Sequence, residues 1–283
     1  MIIGLSEALS YGERHGIAIA AVNTPFFEAL TATIAAAERI GVPVILQHAQ
    51  VHEQVVSIED IGAAMVALAS RSECPFVIHV DHGEDIDYIA RGFEAGFNSA
   101  MFDGSRLPFE ENVARTREVV ELAAGRGFGV EGELGVMLGN ENGDPDQGIA
   151  DEALYTDPEQ AREFVARTGV GALAASFGTV HGMYHREPHL SYPLITELVD
   201  AAGVPLVMHG GSGLSDEEYR RCIEHGVRKI NYYTYGAKVA MDAAREVTAD
   251  PDVLLFPSVA VAATRAVEAE VSSFIRTLAD SGK

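Results

Sequence analysis

The chain has 283 residues, 47% of them hydrophobic, with two cysteines and a formal net charge of −22. That length suits one (β/α)8 barrel, which typically takes about 250 residues, better than one sandwich. So acidic a surface repels nucleic acid and anionic membrane, yet it allows an anionic substrate, because backbone N–H groups or a metal can reverse the field inside a cleft.

Strand-like apolar runs alternate with helical periodicity along the whole chain. A short leading helix over 6–15 precedes a strand at 16–22 and a helix at 26–39, the latter announced by Thr24-Pro25 and closed by Gly41. A strand at 42–46 leads to a helix at 58–70, which starts at Ser57 with Asp60 in capping position. Strands at 76–80, 99–102 and 129–133 precede helices at 86–95, 109–126 and 158–168. Strands at 172–176, 206–208 and 228–231 precede helices at 193–202, 216–224 and 235–247, and a last helix covers 259–278. Gly96, Gly203 and Gly226 close helices, and Ser215 with Glu218 opens one. Repeated βα units of about 30 residues favour a closed α/β TIM barrel over an open sheet, here with an extra N-terminal helix and an extra C-terminal helix. No linker or low-complexity segment divides residues 1–283, so one domain is expected. The longest gap, 134–156, carries a stretch rich in Gly, Asn and Asp at 139–148, and a loop that long inside a domain is usually functional or mobile.

In such a barrel the C-terminal strand ends and the loops after them share one mouth. Collected there are Asn23, Asp81, His82, Asp103, Glu133, His181, His209, Asn231 and Thr234. Three histidines at strand exits, His82, His181 and His209, form the pattern of a catalytic zinc site with an open position. Asp103 and Glu133 either bind a second cation or an alternate metal position, or orient the histidines. His79 and His82 are three apart and point to opposite faces unless the strand has ended, so His82 is the expected ligand and His79 a packed inner residue. Gly210-Gly211-Ser212-Gly213 lets backbone N–H groups approach an anion, and Asn231 and Thr234 precede a helix whose N-terminus adds to that field. Turns after the seventh and eighth strands are the usual barrel phosphate site.

The strings HVDHG, MFDGS, VEGELG, YTDPEQAREF, FGTVHGMY, VMHGGSG and KINYYT resemble the class II fructose-bisphosphate and tagatose-bisphosphate aldolases, in order and spacing, from about Ile17 to Tyr235. The resemblance implies zinc-dependent aldol cleavage of a phosphorylated ketose to dihydroxyacetone phosphate and an aldehyde. His82, His181 and His209 match the zinc positions, and Asp103 with Glu133 match positions for a second metal, whether divalent or monovalent. Asp81 matches the acid/base at the C4 hydroxyl, and Glu141 falls at the loop position assigned to proton transfer at C3. Gly182, Gly210, Ser212, Asn231 and Thr234 match positions that hold the dihydroxyacetone phosphate moiety, with Gly211 and Asn23 beside them.

The residues suit that chemistry on their own terms. Breaking a carbon–carbon bond beside a ketone leaves charge on oxygen for a cation to stabilise, and carboxylates to move protons. A Schiff-base route would need a lysine, and of Lys229, Lys238 and Lys283 only Lys229 has the parity to face inward; a barrel-floor role is expected for it.

Three positions depart from the family pattern: Ala49 replaces a serine, Tyr233 an aspartate, and Asp252 an arginine that helps bind the distal phosphate. Losing that cation removes about 1.5–3 kcal/mol of charged hydrogen bonding, which points toward a ketose 1-phosphate or another substrate without a distal phosphate. Arg106, His185 or Arg186 are candidate replacements. The different-class alternative is a non-catalytic metal- or sugar-phosphate-binding protein, disfavoured by acid/base residues that a binder does not need. The N-terminus lacks a basic signal region and Cys74 and Cys222 make no C-x-x-C pair, so a cytoplasmic protein is expected, with a phosphorylated sugar as partner and a homodimer or homotetramer as its assembly.

Overall fold

The computed structural model describes residues 1–136, 154–183 and 188–282. In chain order the elements begin α1 (Leu5–His15), β1 (Ile19–Asn23), α2 (Phe27–Ile40), β2 (Val44–Ala49), α3 (Ile58–Ala69), β3 (Phe76–Gly83) and α4 (Ile86–Glu94). There follow β4 (Ser99–Phe102), α5 (Phe109–Ala124), β5 (Gly129–Leu134), α6 (Pro158–Thr168) and β6 (Ala172–Ala175). The chain closes with α7 (Tyr192–Ala202), β7 (Leu206–Met208), α8 (Asp216–Glu224), β8 (Val227–Tyr232), α9 (Thr234–Thr248) and α10 (Phe256–Asp280). The strands pair in parallel and in sequence order, and β1 pairs β8 to close the barrel.

Strand alternation sorts the core into two layers. Val22, Leu46, Ile78, Phe102, Leu173 and Ile230 face the helices in a large outer cluster. Ile19, Ala21, Ile45, Val77, Met101, Ala172, Ala174 and Val207 face inward and pack on Leu5, Ala8 and Leu9 of α1. The leading helix therefore closes one end of the barrel, leaving the opposite end for chemistry. Beyond β8, α10 packs along α2 and α9. No helix among the described residues is long and apolar enough to cross a membrane.

Several boundaries differ from the sequence expectation, each with a local cause. Residue 16 does not open a strand; Gly16 caps α1 in the left-handed region at φ 63°, and β1 starts at Ile19. The second strand continues past its apolar run through Gln47, His48 and Ala49, then enters a 3-10 turn at Gln50–Gln54. The third continues past Val80 to Gly83. The final helix begins at Phe256, earlier than the pattern indicates. Both strand extensions carry polar residues on a buried rim, and hydrophobic periodicity is blind to those.

Candidate active site at the barrel rim

Inward parity places Asn23, Gln47, Ala49, His79, Asp81, Glu131, Glu133, Lys229 and Asn231 on one lining. His82 breaks that alternation. It has φ 41°, the one positive value at a non-glycine residue among the described residues, and the β3–β4 register shifts between Val80 and Gly83. A bulge of this kind re-aims one side chain at the expense of local strain. So His82 is still within β3, not beyond its end as the sequence suggested, and the bulge rather than chain termination turns it inward. His79 stays a packed inner residue, with Nδ1 2.8 Å from Ser99 Oγ.

His82, at the bulged end of β3, comes together with His181 and His209, which follow β6 and β7; one ring nitrogen from each lies within 4.8 Å of the others. Their tautomers follow from what stands behind them. His82 Nδ1–H donates to Asp103 Oδ2 at 2.8 Å, which leaves Nε2 facing His209. His209 Nε2–H donates to Glu131 Oε1 at 2.8 Å, which leaves Nδ1 with its lone pair. Those two nitrogens face each other at 2.8 Å. Two ring nitrogens that close hold either a shared proton or a metal ion between them, and the donor set fits a metal ion in the proton's place. Burial alone lowers an imidazole, but the Asp81 and Asp103 carboxylates overcome it and hold His82 well above its ordinary value. A cation at this spot feels the same field. Burial, with His82 and His209 adding repulsion, pushes His181 well below its ordinary value and keeps it neutral as a ligand must be.

The two acidic residues separate in role. Asp103 spends Oδ2 on His82, and Oδ1 accepts from the Ser105 N–H and hydroxyl at 3.1 and 2.6 Å. Of the two readings left open for Asp103, its geometry here is that of an orienting partner. Glu133 Oε2 is buried without a hydrogen bond, 3.9 Å from His82 Nδ1, and shares a ligand-sized cluster with Asp103 and His82. Burial first, and the Asp103 charge second, push its carboxyl well above the usual range.

Asp81 sits between two amides. Asn23 Nδ2 donates to Oδ2 at 2.7 Å and Asn231 Nδ2 to Oδ1 at 3.0 Å. Burial opposes its ionisation, but His82, His209 and Lys229 together hold it well below the usual carboxylate range. Across the rim, Gly210 takes φ 65° with a Cβ position only 2.3 Å from Val180 O, so a side chain there is excluded twice over. Gly211 is as tightly enclosed, against Ile230 and Asn231. The buried Ser212 Oγ accepts the Tyr233 N–H at 3.0 Å, tying this loop to the start of α9, where Thr234 is the first helical residue. Gly182, at φ 90°, is buried close to His181 in the chain. These residues form a concave rim rich in backbone N–H beside a helix N-terminus, a setting for an anion.

Glu141, His185 and Arg186 lie outside the described residues. Asp252 is on the exposed turn before α10, with its N–H on Asp250 Oδ1. Sequence reasoning missed Glu131, a carboxylate with no exposed side-chain surface that joins His209 to Lys229 Nζ at 2.8 Å on each side. Lys229 opposes burial strongly enough to bring Glu131 down to about 2. Its spacing from Glu133 was a usable signal, since residues two apart on β5 share the inner face. Lys229 is thereby the barrel-floor residue the parity suggested. Gln47, His48 and His52, all buried, were also missed as candidates.

Fold and rim together define a (β/α)8 barrel with a histidine–carboxylate centre beside an anion-binding pair of loops. The family model "Fructose-bisphosphate aldolase class-II" matches residues 4–283, and the chain belongs to that family. It is 40% identical over 234 residues to the D-tagatose-1,6-bisphosphate aldolase subunit GatY of Klebsiella oxytoca, covering 82% of this chain and 81% of that one. A probable fructose-bisphosphate aldolase of Bacillus subtilis is 37% identical over 255 residues, 89% and 88% of the two chains. Among solved structures, the YdjI aldolase from Escherichia coli superposes with TM-score 0.87 at 33% identity over 98% of this chain and 97% of that one. The protein is an aldolase, a carbon–carbon lyase of a family that works with a divalent metal.

Proposed function

We propose that the protein is a zinc-dependent cytoplasmic aldolase that reversibly cleaves a phosphorylated ketose to dihydroxyacetone phosphate and an aldehyde. The observation that carries this reading is the pair of facing nitrogens, His82 Nε2 and His209 Nδ1, fixed from behind by Asp103 and Glu131. His181 completes the ligand set, and Glu133 serves a second or alternate cation position, supported by its cluster with His82 and Asp103. A bound divalent ion supplies a Lewis acid for the oxygens next to the breaking bond. Asp81, ionised and held by Asn23 and Asn231, accepts the C4 hydroxyl proton in cleavage and returns it in synthesis. Glu141, by its position in the family pattern, exchanges the proton at C3. The phosphate sits against Gly182, Gly210, Gly211 and Ser212, with Asn231 and Thr234 at the start of α9. The relatives named as tagatose- and fructose-bisphosphate aldolases support this substrate class.

A Schiff-base route through Lys229 is disfavoured by its position, fully buried and bonded to Glu131 at 2.8 Å. The test is purified protein with dihydroxyacetone phosphate and a panel of aldehydes, read by mass spectrometry, before and after chelation and after zinc is returned. Activity that survives metal removal, or a borohydride-trapped adduct at Lys229, overturns the reading. We further infer that residues 1–283 work as one barrel domain and that the protein assembles as a homodimer or homotetramer, supported by exposed apolar residues at the α9–α10 turn.

A further inference from the structure

The quarter of the rim formed by β1, β2 and the 3-10 turn after β2 holds polar atoms that the steps above do not use. Gln47 is fully buried on the inner face, in register with Asn23 on one side and His79 on the other. Neither its amide nitrogen nor its amide oxygen has a hydrogen-bond partner among the described residues. His52, fully buried in the 3-10 turn, likewise has both ring nitrogens without a hydrogen bond to a described residue, and Asn23 Oδ1 is in the same condition. The His52 ring packs on Tyr233, centroids 4.4 Å apart, so this turn reaches across the mouth of β1 to the end of β8. Buried donors and acceptors are nearly always paired, and a cluster left unpaired at the edge of an active site is a place where a polar ligand belongs.

Position around the barrel says which part of the substrate arrives there. The phosphate loops follow β6, β7 and β8, and the carbonyl end lies at the histidines. Asp81 stands between Asn231 of β8 and Asn23 of β1. Carbons beyond C4 therefore run over β1 and β2. Ala49, in register with Asp81, presents only a methyl group there and leaves the reading of those carbons to its neighbours. Resting on the aldolase reading, we propose that Asn23, Gln47 and His52, backed by the Tyr233 ring, form the subsite for the aldehyde half of the substrate, and that this half is an uncharged, hydroxyl-bearing chain rather than a phosphate ester.

Charge supports the uncharged partner. The groups whose charges act on His52 are His48, Asp81 and His82, with no lysine or arginine among them. Burial, followed by His48, brings His52 down to about 4, so at neutral pH it is an uncharged donor and acceptor matched to a hydroxyl. Arg91, which reaches Glu53 of the same turn, is committed to Glu53 and Glu59. Among the described residues, a phosphate dianion here would face ionised Asp81 with only neutral donors in this turn to meet it.

The experiment compares acceptors for dihydroxyacetone phosphate on the zinc-loaded protein: acetaldehyde, glycolaldehyde, glyceraldehyde and glyceraldehyde 3-phosphate. Glyceraldehyde is expected to exceed acetaldehyde in kcat/KM by about tenfold, as one or two neutral hydrogen bonds provide, and the phosphate ester to gain nothing over glyceraldehyde. His52→Phe keeps a ring against Tyr233 and Gln47→Leu keeps the bulk; each should cut the glyceraldehyde-to-acetaldehyde ratio about three- to tenfold. Equal falls for both acceptors, an unchanged ratio in both variants, or a tenfold preference of the parent for glyceraldehyde 3-phosphate overturns the proposal. The parent series decides the question even if a variant fails to fold. Exchange of the C3 proton of dihydroxyacetone phosphate in heavy water needs no aldehyde: its absence in the parent overturns the aldolase reading and this subsite with it, and its presence alongside a failed ratio overturns the subsite alone.

Discussion

Glu131 shows how one buried carboxylate sets the state of two neighbours. It fixes the His209 tautomer from behind and compensates the charge of Lys229, with neither side chain exposed to solvent. Removing one partner of a buried ion pair leaves the other uncompensated, at about 3–5 kcal/mol. Glu131→Gln should therefore lower the unfolding midpoint and weaken zinc binding by about 10- to 100-fold, the usual effect of losing an orienting partner. Adding Lys229→Met should restore much of the stability but not the zinc affinity, read by chelator competition. Recovery of both together would mean that Glu131 acts only through fold stability. For the acid/base pair, Asp81→Ala and Glu141→Ala should each retain the fold by circular dichroism and lose about 10²–10⁴-fold in turnover. An unchanged Glu141→Ala rate reassigns the C3 proton. The three histidines were legible in the sequence because each ends an apolar run, whereas Glu131 is one polar letter inside a strand, and its value appears only when Lys229 and His209 arrive from distant positions.

At the scale of elements, the departures from expectation and the site coincide. Alternation read β2 as ending at Leu46 and β3 at Val80, because Gln47, His48, Asp81 and His82 look like loop residues. In a barrel the inner face near the mouth is polar by function, so strands continue through residues that hydrophobic patterning discards. The bulge at His82 is equally invisible to pattern, since only backbone geometry records it. Burying these imidazoles has a consequence for stability. Burial brings His48 and His52 down to about 4 and His79 to about 3, from a reference of 6.5. A base whose folded value is depressed contributes stability that is fully present above pH 6.5 and is lost as pH falls toward the folded values. The unfolding midpoint should decline from pH 6.5 to about 4, and the slope should be shallower in His48→Leu, which removes one titrating group from the helix-facing side of β2. An identical slope in that variant would assign the acid sensitivity to the metal ligands instead.

The whole molecule divides its ends by chemistry. α1 seals one end of the barrel with Leu5, Ala8 and Leu9, which makes the opposite rim the only route to the inner face left by that closure. The charge of −22 spread over this surface opposes self-association at low salt, yet Leu254, Leu255 and Phe256 are 83%, 71% and 74% exposed in succession, with Val261 half-exposed in the first turns of α10. Consecutive exposed large apolar residues of this kind mark a contact surface in most proteins that carry them. If copies of the chain meet there, apolar burial drives the contact and like charge resists it. Salt then has an opposite effect to the one it has on ion-paired interfaces, because screening over about 10 Å at 0.1 M relieves the repulsion and leaves the apolar term in place. The oligomer should tighten as ionic strength rises, and the double substitution Leu255→Glu with Phe256→Glu should shift the mass by light scattering to that of one 30.2 kDa chain. Weakening by salt, or an assembly that survives both substitutions, would move the interface to another face. The variant also separates assembly from catalysis. A monomer that keeps dihydroxyacetone phosphate proton exchange holds every group that step needs, and one that loses it needs a group supplied across the interface.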